Sequence, residues 1–122
     1  MMIMEGTVKK TDFFLRLPLS PITGGCKNSV FLHLRFSSHW RAYPYRYVDF
    51  HHKKGERMRA RVDEDGICIL PEEILRRSGI VFLSVVGCDS KEETKRVVTE
   101  VATFKILPSS YTAKAEVTAD GE

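Results

Sequence analysis

Val30-Phe31-Leu32-His33-Leu34-Arg35-Phe36 alternates strictly, with Val30, Leu32, Leu34 and Phe36 on one side of an extended chain and Phe31, His33 and Arg35 on the other. Successive side chains of a strand point to opposite faces, so this period of two predicts a half-buried β-strand with its aliphatic side on a core. The alternation recurs downstream. Arg57-Met58-Arg59-Ala60-Arg61-Val62 places Met58, Ala60 and Val62 opposite Arg57, Arg59 and Arg61, a row of three positive charges left for solvent or a partner. Residues 45–52 are rich in aromatic and β-branched types, and Val48 and Phe50 oppose Tyr47 and Asp49.

Asp63-Glu64-Asp65-Gly66 supplies a turn, because Asp hydrogen-bonds its local backbone and Gly accepts positive φ. Residues 67–70 then resume an apolar run, which predicts a β-hairpin. Residues 80–86 are apolar on both faces apart from Ser84, the pattern of a central strand covered on each side. Residues 97–107 alternate in their second half through Ala102, Phe104 and Ile106, and the charged residues 89–95 read as the loop between these two strands. Upstream, residues 11–17 predict a short strand carrying Phe13 and Phe14. Pro18, Pro21 and Gly24-Gly25 end it in a long loop.

One helix is expected, over residues 71–78. Pro71 stands at its first position, Glu72 and Glu73 in its first turn, Arg76 and Arg77 in its last, and Gly79 just beyond. Ile74 and Leu75 would pin it to the core. About seven short strands and this helix predict an all-β fold, an immunoglobulin-like antiparallel β-sandwich, with an open barrel as the competing architecture. Residues 1–110 would form a single domain and residues 111–122, which lose all periodicity, a flexible tail or linker.

With 122 residues, 43% of them hydrophobic and 29% charged, the chain can bury a real core and has no room for a second full domain. Its longest apolar runs are far too short to span a bilayer, so no membrane partner is expected. Met1 to Met4 lead at once into Glu5, Gly6 and two lysines, unlike a secretory signal. Cys26, Cys68 and Cys88 are odd in number and widely spaced, which argues for synthesis in a reducing compartment. The net charge of +3 balances 19 basic against 16 acidic side chains and exerts little long-range pull on nucleic acid, which is not an expected partner.

Catalytic and metal chemistry find little footing. His51 and His52 are adjacent on a strand and face opposite ways, so they cannot easily share a metal with His39, Cys68 or Cys88. Cys68 and Cys88 sit in apolar contexts, where a thiol behaves as a small hydrophobe. No nucleophile elbow, Gly-x-Gly-x-x-Gly or phosphate loop occurs, so no enzyme, cofactor or metal is expected. Trp40-Arg41-Ala42-Tyr43-Pro44-Tyr45-Arg46-Tyr47 interleaves rings with arginine, the composition of interface hot spots, of single-strand nucleic-acid platforms and of loops folded over their own core. Trp40, Arg41, Tyr43, Tyr45, Arg57, Arg59 and Arg61 are therefore the candidate interaction residues. On the interface reading, replacing Trp40 and Tyr45 by Ala leaves the melting transition largely intact.

The order of parts is itself informative. An aromatic loop at Trp40 is followed by Val48-Asp49-Phe50, then Gly66-Ile67-Cys68-Ile69-Leu70-Pro71-Glu72-Glu73-Ile74-Leu75, then Gly79-Ile80-Val81-Phe82-Leu83-Ser84-Val85-Val86-Gly87, then Thr99 and a closing strand. This cadence resembles the N-terminal sandwich domain of upper baseplate and related tail proteins of tailed bacteriophages. The resemblance implies a virion structural protein that is not an enzyme and that docks onto neighbouring tail or baseplate subunits. It also implies homo-oligomers, and residence in the virion after assembly in the bacterial host cytoplasm. Family members carry a following helical, trimerising, receptor-binding portion with no counterpart in these 122 residues. An excised domain, a small stand-alone virion protein and a prophage remnant all remain open. The alternative is a carbohydrate- or nucleic-acid-binding sandwich that uses the same rings and the arginine row.

Overall fold

The computed structural model describes residues 2–18, 22–23, 30–55 and 57–108, and in it the period-two segments become strands of two sheets. Along the chain run β1 (Met2–Lys9), β2 (Asp12–Arg16), β3 (Ile22–Thr23), β4 (Val30–Phe36), a 3-10 turn at Ser38–Ala42, β5 (Tyr45–His52), β6 (Met58–Arg61), β7 (Ile67–Ile69), the helical turn α1 (Glu72–Leu75), β8 (Gly79–Cys88), β9 (Arg96–Val98) and β10 (Ala102–Leu107). The smaller sheet has the order β2-β1-β4-β7. The larger has the order β3-β10-β8-β5-β6, with β9 beside the end of β8.

The alternating residues sort as their period dictates. From the smaller sheet Met4, Val8, Val30, Leu32 and Leu34 turn inward; from the larger, Val48, Phe50, Val81, Leu83, Phe104 and Ile106 do the same. Both sets join one buried cluster. Removing this much apolar area from water is the main favourable term in folding, at about 25 cal/mol per Å2. The fold is therefore all-β, a two-sheet sandwich.

Several details differ from expectation, each for a physical reason. β1 was not anticipated, because Gly6 interrupts its apolar side. Here Gly6 is buried, and a Cβ at that position would press on Leu34 and Phe13, so the glycine makes room for its neighbours. β1 runs parallel to β4, and the two-residue β3 runs parallel to β10, so the pairing is not wholly antiparallel. Ten strands form among the described residues where about seven were expected. One addition arises because residues 97–107 break at Thr99, whose buried hydroxyl accepts the Val85 N–H at 2.9 Å in place of a backbone carbonyl.

The expected helix over residues 71–78 shrinks to the single turn of α1. Ile74 and Leu75 are buried as foreseen, but nothing beyond them faces the core and the chain turns directly into β8. The Asp63 turn forms tightly, with the Asp63 carboxylate accepting the N–H groups of Asp65 and Ile67 at 2.9 and 2.8 Å. It does not close a hairpin within one sheet. Gly66, at φ 81°, sends the chain across to the smaller sheet, where β7 pairs with β4. The expected tail over residues 111–122, and Cys26 with its loop, lie outside the described residues.

Candidate functional site

The aromatic segment divides at Tyr45. Trp40 is completely buried, and its indole N–H donates to the Lys10 carbonyl at 2.8 Å. Its ring packs 5.1 Å from Phe36 and 6.0 Å from the half-buried Tyr43. Gly87 of β8 lies so close that a Cβ there would overlap the indole. Arg46 locks the loop from below. Its guanidinium sits 4.1 Å over the Phe36 ring and donates to the carbonyls of Trp40 (2.7 Å) and Tyr43 (2.9 Å). Burial holds the Arg46 pKa below its ordinary value. Trp40 is thus a core residue and not a docking residue, because its whole surface and its single donor are already satisfied within the chain. Arg41 stays exposed on the turn.

From Tyr45 onward the side chains turn outward on every second position, and four of the seven candidates gather on the outer face of the larger sheet. In register across the strands, Tyr45 pairs with Cys88, Tyr47 with Val86 and Arg61, Asp49 with Ser84 and Arg59, and His51 with Phe82. Arg59 grips Asp49 with two bonds, 2.8 and 3.2 Å, reaches Glu93 at 3.5 Å and lies 5.4 Å over the Tyr47 ring. The hydrogen bond to Asp49 raises the Arg59 pKa, against the opposing pull of desolvation. Among the described residues Arg57, Arg61 and Arg96 make no ion pair.

Between these groups lies a shallow hollow of about 360 Å3, bordered by Arg57, Arg59, His51, Arg96, Val98 and Val101. Two apolar side chains on its border are uncovered, Val98 at 46% exposed and Val101 at 60%, and elsewhere on the same sheet Ile80 is 51% exposed. β8 is central in its sheet, as its composition predicted; on its outer face Val86 and Cys88 are buried and Phe82 is half-buried beneath His51, while Ile80 stands exposed. These apolar members of the face were missed because an open outer face and a covered one have the same sequence signature. A second hollow, of about 440 Å3, lies beyond Tyr45 and Tyr47 and is bordered by Arg61, Asp63 and Glu64.

The other candidate groups are accounted for locally. The His51 ring stacks on Phe82 at 5.1 Å, and its Nδ1–H donates to the His52 carbonyl at 3.1 Å. His52 is buried and donates from Nε2 to the Ile74 carbonyl at 2.9 Å, which ties α1 to β5. Burial pushes the Cys68 thiol up to about 12, with Asp63 adding to the shift, and Cys88 is pushed up as well, chiefly by burial. Both shifts disfavour the thiolate, the form in which a cysteine acts as a nucleophile. Among the described residues no three His, Cys, Asp or Glu side chains converge as a metal site would need, and no helix is long and apolar enough to cross a membrane.

No protein-family model matches the chain, and no curated protein matches it.

Proposed function

We propose that this chain is a non-catalytic structural module of a phage or prophage tail or baseplate, which docks onto neighbouring virion subunits through the outer face of its larger sheet. The phage assignment rests on the sequence cadence of residues 40–87. The docking reading rests on one observation: Ile80, Val98 and Val101 stand exposed on the larger sheet, the last two beside arginines that make no ion pair among the described residues. Exposed apolar side chains grouped with arginine and tyrosine are the makings of a protein interface.

Protein contact is favoured over nucleic acid by the state of the rings. Single strands bind by stacking bases on free aromatic faces. Here Trp40 is in the core, Phe82 is covered by His51, and Tyr47 lies beneath Arg59. Ile80, Val98 and Val101 would gain nothing against phosphate but would pack well against another protein's apolar side chains. In this reading the chain is made in the cytoplasm of the bacterial host and ends in the virion.

The test is mass spectrometry of tail particles purified from cells that carry the gene, with the wild-type chain and with Ile80→Asp/Val101→Asp. The wild type is expected in the particles at fixed stoichiometry and the variant at a small fraction of it. A wild-type chain absent from particles, or a variant incorporated equally well, would overturn the proposal.

A further inference from the structure

We infer that copies of this chain associate head to tail, the acidic turn at Asp63, Glu64 and Asp65 of one copy seating in the arginine hollow of the next. The inference rests on the reading of the larger sheet's outer face as a docking surface, and it names one occupant of that surface.

The hollow carries more positive than negative charge. Three guanidinium groups border it, those of Arg57, Arg59 and Arg96, against two carboxylates, Asp49 and Glu93, both of which are engaged by Arg59. Arg57 and Arg96 thus border it without an ion pair among the described residues. Arginine's planar fork is suited to receive carboxylates two bonds at a time.

The turn offers what the hollow lacks. Asp63, Glu64 and Asp65 are consecutive and all exposed, and among the described residues none makes an ion pair. Their backbone is already fixed. The Asp63 carboxylate holds the N–H groups of Asp65 and Ile67, the Gly66 N–H donates to the Asp63 carbonyl at 3.0 Å, and the Leu34 N–H donates to the Gly66 carbonyl at 2.8 Å. A loop set in its bound shape loses little entropy on docking.

The turn cannot fill the hollow of its own chain. Asp63 lies beyond the far end of β6 (Met58–Arg61) from Arg57, up to about 20 Å along the chain at strand rise, and Gly66 then leads the chain away to the smaller sheet. The donor and the acceptor are therefore different patches of one surface. Such a heterologous contact repeats from copy to copy, closing a ring or extending a stack. Val98 and Val101, on the rim of the hollow, add apolar area to each contact.

Two surface variants test the inference by light scattering over a concentration series at low salt, with circular dichroism as the control for folding. One is Glu64→Lys/Asp65→Lys, which spoils the turn and keeps the hollow. The other is Arg57→Gln/Arg96→Gln, which spoils the hollow and keeps the turn. The wild-type molar mass is expected to climb with concentration, and each variant alone to stay monomeric, its self-association weakened at least about tenfold. Mixed in equal amounts, the two should form a one-to-one pair that grows no further, because only one intact contact can be made between them. A wild type that stays monomeric, variants that associate as the wild type does, or a mixture that stays monomeric would each overturn the inference. A monomeric wild type that still enters tail particles would leave the proposed function standing. A self-associating chain absent from particles would do the reverse.

Discussion

Around Trp40, arginine and aromatic rings close inward; around Arg59, the same residue types open outward. Arg46 and Arg59 each lie over a ring and each engage oxygen acceptors, yet burial lowers the pKa of the first while a carboxylate raises that of the second. The two belong to the same pair of adjacent strands, β5 and β6. What separates them is strand parity: Arg46 sits opposite Gly87, where the absent side chain leaves room for Trp40, and Arg59 sits opposite Asp49 on the other face. Composition marks both clusters as special, and the alternation of the strand decides which is core and which is surface.

The contrast is broken most severely at Trp40. Trp40→Ala removes a fully buried indole and strands the Lys10 carbonyl that it satisfies, so a loss of about 3 to 5 kcal/mol is expected. In a domain of this size that lowers the melting temperature by about 12 °C or more, measured by circular dichroism. A shift of only a degree or two would mean that the loop is no part of the core.

Next in size is Arg46→Met, which keeps apolar bulk over Phe36 but leaves the carbonyls of Trp40 and Tyr43 without their charged donor. About 1 to 3 kcal/mol should be lost in urea unfolding, with an unchanged m-value. An effect as small as that of a surface arginine would place Arg46 on the wrong side of the comparison.

How far the sequence reveals this contrast depends on which physical signal carries it. Period-two alternation located β4, β5, β6 and β10 and put Arg57, Arg59 and Arg61 on an outer face, because side-chain parity is a local property of an extended chain. The break at Thr99 escaped, since a hydroxyl standing in for a backbone acceptor is chosen by the partner strand and not by the local sequence. The parallel pairing of β1 with β4 escaped for the same reason. Trp40 illustrates the limit at the site: nothing in its neighbours distinguishes a ring over its own core from a ring offered to a partner, and the answer lies at Gly87, far along the chain. The exposure of Ile80 at the start of β8 was equally invisible, because apolar residues of a strand read alike whether or not anything covers them.

The smallest effect belongs to Arg59, and its smallness sharpens the comparison. Its bonds to Asp49 and Glu93 are made by side chains that remain 41%, 23% and 41% exposed, so water and salt compete with them. Exposed ion pairs of this kind contribute about 0 to 1 kcal/mol. Arg59→Gln should therefore change thermal stability by at most that amount at low ionic strength, and by nothing measurable in about 0.5 M NaCl, where charges are screened over a few ångströms. If the variant instead unfolded as readily as Arg46→Met, with no relief from salt, the outer cluster would be holding the sandwich together. Its arginines would then be structural, and the larger sheet's outer face would lose its claim to be a surface kept open for a partner.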